Sequence, residues 1–206
     1  MDVRESLLKA AIKVFAESGM RGATTRRIAS AANVNEVTLF RHFKSKDELI
    51  HAALEYFVSR IEIRPLPADP VDPKAELLDW SRAHHRELYK HRAFIRKKMS
   101  EHEENPDYCS VGLKVSVDIA HQLTSYLSRL KRLGMTEGEW DERAAASMLM
   151  GTLFSDAMGR DVMPERYPYS KRDAIEWYVE LLVRAIGAHA PARPRARPRG
   201  RGRTSS

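Results

Sequence analysis

The sequence predicts an all-α protein: a small N-terminal domain built around a helix-turn-helix, then a larger helical domain. Three observations lead there. Apolar residues recur at helical spacing along most of the chain, and no segment alternates with period two for long enough to form a strand. Between Thr24 and Lys46, two short helix signatures flank a tight turn.

The first helix is expected from about Arg4 to Ser18. It buries Leu7, Leu8, Ala11, Ile12 and Phe15 and stops at Gly19. Thr24-Thr25 can cap a second helix whose apolar positions are Ile28 and Ala29, with Ala32 close behind. Asn33 falls at the turn, and Asn is one of the few residues besides glycine that accepts a left-handed backbone cheaply. Asn35 can cap a third helix that exposes Glu36, Thr38, Arg41 and His42 and buries Val37, Phe40 and Phe43. A fourth helix starts near Lys46 and buries Leu49, Ile50, Ala53, Leu54, Phe57, Val58 and Ile61. It ends before residues 64–73, whose four prolines prohibit a continuous helix and mark a joint.

Further helices are expected near 73–90, 92–104, 107–133, 139–160 and 171–188. The 107–133 helix carries Val111, Val115, Ile119, Leu123, Leu127 and Leu130, and Gly134 can close it. In the last helix, polar residues between Ala174 and Ile186 reduce to Glu176, Glu180 and Arg184, one stripe at four-residue spacing. The rest of its circumference is apolar, more than one buried side accounts for. The helix before it has no charge from Ala144 to Ser155, and its small residues allow close approach. A homodimer interface involving Leu149, Leu153, Trp177, Leu181 and Ala185 is therefore expected.

The domain division that follows is 1–46, 47–190 and a basic tail, 191–206, too poor in apolar residues to fold. The formal charge is +7, but the tail holds six arginines and no acid, which leaves about +1 for the other residues. Within residues 21–46, six Lys or Arg stand against one acid, Glu36. Basic character concentrated in a helix-turn-helix and a tail points to nucleic acid. The sole cysteine, Cys109, can form no internal disulfide, and no apolar run approaches the ~20 residues of a membrane span. A soluble cytoplasmic protein is the expectation. The tail segment Arg197–Gly202 is similar to an AT-hook, with Gly202 where the second proline would stand. Arg199 and Arg201 are its candidate minor-groove contacts; a tail that binds phosphate without regard to sequence is the reading favoured over it.

From about Arg4 to Phe57 the chain resembles the DNA-binding domain of the TetR family of bacterial one-component transcriptional regulators. The likeness rests on the leading helix Ser6–Phe15 and on Gly19. It rests equally on the string Thr38-Leu39-Phe40-Arg41-His42-Phe43 and on Lys46-Asp47-Glu48-Leu49. Two positions depart from the family pattern. Phe40 stands where Tyr is common, removing a hydroxyl that touches phosphate, and Asn33 and Asn35 replace the usual Gly and Ser of the turn and cap.

The resemblance implies that Thr25 and Arg26 contact the DNA backbone. Asn35, Glu36 and Thr38, with Arg41 beside them, would reach base edges, and His42 and Lys46 would meet phosphate. It implies a palindromic double-stranded operator, a dimer joined by the last two helices, and a cavity for a partly apolar small-molecule effector. Trp80, His84, Gln122, Tyr126, Met148, Thr152 and Ser155 are the candidate cavity residues. His84, Glu87 and His91 share one helix flank, but Arg86, Lys90 and Arg92 crowd it, so it reads as an exposed polar flank and no metal is expected. No catalytic constellation and no cofactor motif is present, so an enzyme is not expected. The runner-up function is an architectural DNA-binding protein that relies on its basic tail and needs no effector.

Overall fold

The computed structural model describes residues 2–61, 63–100 and 110–190, with side chains in the last stretch from Lys114 onward. Cys109, Val111, Arg199, Arg201 and the acidic connection at 101–107 lie outside the described side chains. Nine α-helices occur among the described residues and no strand. They are α1 (Val3–Gly22), α2 (Thr25–Ala31), α3 (Glu36–His42), α4 (Lys46–Val58), α5 (Pro73–Lys90), α6 (Arg92–Ser100), α7 (Ser110–Arg132), α8 (Glu142–Gly159) and α9 (Lys171–Ala185). No helix among them is long and apolar enough to cross a membrane.

Local chemistry sets the helix ends. Asp2, Thr24, Asn35, Ser45, Asp72, Asp141 and Ser170 each cap a helix with a side-chain oxygen that accepts a backbone N–H. Within α1 the helical path breaks at Gly19, whose φ of 69° and ψ of −174° fall in a region essentially reserved for glycine. Asn33, at φ 56°, closes α2: Val34 N–H donates to the Ala29 carbonyl at 3.0 Å and Asn33 N–H to that of Ser30 at 3.1 Å. Pro73 stands in the first turn of α5, where its missing N–H costs nothing.

Two apolar cores form. The first joins Leu7, Leu8, Val14 and Phe15 of α1 to Ile28, Leu39 and Phe43, and to Leu49, Ile50, Ala53 and Leu54 of α4. Phe94 of α6 completes it, because α1 packs on both α4 and α6. The second core holds Leu77 and Trp80 of α5, Leu123, Tyr126, Leu127 and Leu130 of α7, Leu149 and Leu153 of α8, and Ile175, Val179 and Leu182 of α9. Leu149 and Leu153, expected at a dimer interface, are thus inside their own monomer. Outward residues of these two helices include Ala144, Ser147, Met148 and Gly151 on α8 and Trp177, Leu181 and Ala185 on α9. Trp177 is 52% and Leu181 62% exposed although both are large and apolar. The α9 helix therefore has two apolar faces, one spent on the core. Its glutamates lie between them: Glu180 pairs with Lys74 of α5 at 2.6 Å, and Glu176 with Arg82.

A polar cluster unforeseen in the sequence pins α5, α8 and α9. Asp156, fully buried, lies 2.7 Å from His85 Nε2, accepts from Arg160 Nε at 3.0 Å and from the Tyr178 hydroxyl at 2.9 Å. Burial alone would push this carboxyl up. The hydrogen bonds from His85, Arg160 and Tyr178 outweigh it and bring the pKa down to about 2. Asp156 follows the charge-free run of α8, and that isolation was the available signal.

Candidate nucleic-acid interface and cavity

The turn at Asn33 sets α2 and α3 as a compact pair, and their polar side chains are largely spent on each other. Asn35 Oδ1 caps α3 by accepting from Thr38 N–H at 2.7 Å, and it takes the Thr38 hydroxyl at 2.8 Å as well. The Thr25 hydroxyl, at the start of α2, donates to the carboxylate of Glu36 at the start of α3. Lys46 Nζ donates to the Met20 carbonyl at 2.6 Å, tying α4 to the end of α1 just past the Gly19 break. Arg27 closes the same corner through the Gly22 carbonyl at 3.0 Å. Thr25, Glu36, Thr38 and Lys46 therefore act first as internal fasteners of the motif. Arg26, Arg41 and His42 are exposed. The His42 ring lies against Phe43, centroids 6.5 Å apart.

The expected burial of Val37 and Phe40 is corrected by the structure. Val37 is 63% and Phe40 49% exposed, while Leu39 and Phe43 fill the core. Positions three and four apart share a face, so Val37, Phe40 and Arg41 line up outward, and Glu36 and Leu39 turn toward α2. A seven-residue helix has room for only one inward stripe, and Leu39 with Phe43 already occupies it.

A cavity of about 560 Å³ lies where α4, α5, α6, α7 and α8 converge. Its walls are mostly apolar, including Phe57 and Val58 of α4, Phe94 and Ile95 of α6, Ile119 of α7 and Phe154 of α8. Polar groups enter as His84, Glu87 and His91 along and just past α5, with Lys98 of α6 and Ser116 of α7. Burial, reinforced by the neighbouring His85, brings the His84 pKa down to about 4 and keeps the ring neutral near pH 7. His91 is lowered mainly by burial, with Lys90 adding to it and Glu87 opposing. The three residues are thus part of the cavity wall and not the exposed flank expected of them. Among the described residues no His, Cys, Asp or Glu cluster could hold a metal ion.

Of the expected cavity residues, His84 alone lines it. Trp80 is stacked behind His84, ring centroids 5.1 Å apart. Tyr126 is buried in the second core, where its hydroxyl donates to Glu76 at 2.6 Å. Gln122 and Met148 are exposed; Thr152 donates to the Met148 carbonyl of its own helix at 2.8 Å, and Ser155 pairs with the Tyr167 hydroxyl at 2.9 Å. The cause is the placement of the second core, which fills the end of the bundle near Leu77 and Tyr126 and leaves the opening against α4 and α6. The wall residues missed in the sequence, such as Phe94 and Phe154, look there like any core position.

The wall continues into the first core. The Phe57 and Phe94 rings are 4.7 Å apart between centroids, and Phe94 lies 5.4 Å from Phe15 of α1.

Comparison with known proteins agrees with this geometry. Residues 7–53 match the family of bacterial regulatory proteins of the tetR type. The chain is 36% identical over 72 residues to the transcriptional regulator TcmR of Streptomyces glaucescens, a stretch covering 33% of this chain and 32% of TcmR. It is 36% identical over 76 residues to the transcriptional repressor KstR2 of Rhodococcus jostii, covering 36% and 37% respectively. The matches thus span about a third of these relatives' length. Among solved structures, a transcriptional regulator from Rhodococcus sp. RHA1 superposes with a TM-score of 0.70 at 21% identity, covering 90% of this chain and 98% of that one. FadR of Bacillus subtilis, in complex with stearoyl-CoA, superposes with a TM-score of 0.65 at 21% identity, covering 90% and 99%. At such identities the superpositions establish a shared all-helical fold. Its helix-turn-helix, residues 7–53, is thus similar to that of the tetR family of bacterial regulatory proteins.

Proposed function

We propose that the protein is a dimeric, cytoplasmic transcriptional repressor that binds a palindromic operator through the major groove and releases or alters that grip when a small molecule fills the cavity. The observation that carries the reading is the physical continuity of the two sites. The helix-turn-helix and the cavity share α4 and Phe94, so a ligand pressing on the cavity wall presses on the DNA-binding core. The proposed units, 1–46 for DNA and 47–190 for regulation and dimerisation, meet at that helix. Exposed Arg26, Arg41 and His42 would face the duplex, and the outward apolar faces of α8 and α9 would join two protomers.

The effector would be partly apolar, since most of the wall is, with His84, Glu87 and His91 available to its polar end. FadR, which holds stearoyl-CoA in a similar fold, offers a precedent for an apolar ligand. Selection of binding sites from random duplex DNA with the purified full chain tests the reading. A palindrome with half-sites about one helical turn apart is expected. Recovery of unrelated sequences, all bound equally, would favour the architectural alternative instead.

A further inference from the structure

We infer that Val37, supported by Phe40, reads the 5-methyl group of thymine in the major groove. The inference rests on the DNA-binding reading above and adds which chemical group on the bases this chain recognises. Three of the four polar side chains expected at base edges are engaged within the motif: Glu36 holds the Thr25 hydroxyl, and the Thr38 hydroxyl is given to Asn35. What the outward face of α3 presents is Val37 and Phe40, three residues apart, next to the cation of Arg41.

Two large apolar side chains at 63% and 49% exposure, three residues apart on one helix face, gain free energy when a dry surface covers them. The cationic surroundings say what brings that surface. Arg26 and Arg41 are exposed on the same pair of helices, so the partner carries phosphates. In the major groove the apolar feature of the bases is the thymine methyl, which cytosine lacks. Phe40 lacks a hydroxyl to offer a phosphate, so its ring serves by narrowing the space in which the methyl sits against Val37.

The test uses a duplex recovered by the selection described above, with each thymine replaced in turn by deoxyuridine, which removes the methyl and nothing else. Binding to the full chain is measured by fluorescence anisotropy. At one thymine of each half-site the loss should be about fourfold, the worth of one buried methyl. Val37→Ala should bind thymine and uracil duplexes equally at that position, and since Val37 is mostly exposed the variant folds like the parent, which circular dichroism checks. Uracil tolerated at every position, or a thymine preference that survives Val37→Ala in full, overturns the inference while leaving operator binding intact. Failure to select any duplex overturns both this inference and the function on which it rests.

Discussion

The ring of Phe94 lies 4.7 Å from that of Phe57, centroid to centroid, and the pair forms the partition between the cavity and the helix-turn-helix core. One side of the partition meets a ligand-sized void. The other side meets Phe15, which is buried with Leu7, Leu8 and Leu39 in the core that orients α2 and α3.

Phe94→Ala should lower the unfolding free energy by about 3 kcal/mol, the usual cost of removing a buried phenyl ring. Because the ring belongs to the N-terminal core, the loss should include helix-turn-helix order and hence DNA affinity. Phe94→Leu, which keeps most of the volume, should restore most of the stability while softening any effect of ligand on DNA binding. Urea titrations and anisotropy on the same samples separate the two. A Phe94→Ala protein as stable as the parent would mean that the partition is loosely packed.

Stability should fall with acidity in two steps of known sign. His84 is held neutral by burial with a folded pKa of about 4, below the 6.5 of a free imidazole, so the unfolded chain binds more protons between those values. Stability is therefore full above pH 6.5 and is lost as pH falls from 6.5 toward 4, by about 2–3 kcal/mol at most. Asp156 adds a second loss only below 3.8, as pH falls toward its folded value of about 2. Thermal melts from pH 7 to pH 4.5 should show the first step, and His84→Phe should remove most of it. An unchanged slope in that variant would assign the acid sensitivity to another group.

For the dimer, Leu153 and Leu181 should behave oppositely. Leu153 is fully buried in its own monomer, so Leu153→Glu should unfold the chain by burying an unpaired charge. Leu181 is 62% exposed there, so Leu181→Glu should leave a folded chain that no longer self-associates. Circular dichroism reads the first outcome and sedimentation the second. Wild-type protein that sediments as a folded monomer at micromolar concentration would contradict the assigned interface.

At the DNA surface, exposed cations and internal fasteners should leave different signatures. Arg41→Ala should weaken binding and reduce the salt dependence by about one counterion. Thr25→Val removes the donor and Glu36→Leu the acceptor of the same hydrogen bond between α2 and α3, so the double variant should be little worse than either single one. Lys46→Ala should cost about 1 kcal/mol of stability through the lost bond to Met20, whatever it does to DNA. Strict additivity of the Thr25 and Glu36 effects on DNA affinity would show that each meets the duplex on its own.

Much of this organisation is legible in the sequence where a single residue type has a single physical use. Asn33 at the turn, Gly19 at the break, the prolines of 64–73 and the two apolar faces of α9 are of that kind. Val37 and Phe40 are not. Hydrophobicity says that a side chain prefers a dry partner, and in a seven-residue helix it does not say whether the partner is the core or a ligand. The cavity escapes for a related reason: Phe57, Phe94 and Phe154 would look identical had the space between them been filled. A void belongs to the packing of five helices, and no spacing within one of them encodes it.

The tail offers a last test, because its charge is certain from sequence alone. Six arginines without an acid in residues 191–206 should add affinity for any DNA through counterion release. Deleting the segment should raise the dissociation constant most at low salt and leave the selected operator preference unchanged. If Arg199 and Arg201 enter the minor groove as in an AT-hook, the loss will be larger on operators flanked by A·T runs, where the groove is narrow and its potential most negative. Gly202 in place of the second proline argues for the unspecific tail, and in that case A·T-flanked and G·C-flanked operators lose affinity equally. Titrating full-length and truncated protein against both operators decides between the two, and no loss on either would show that the tail plays no part in DNA binding.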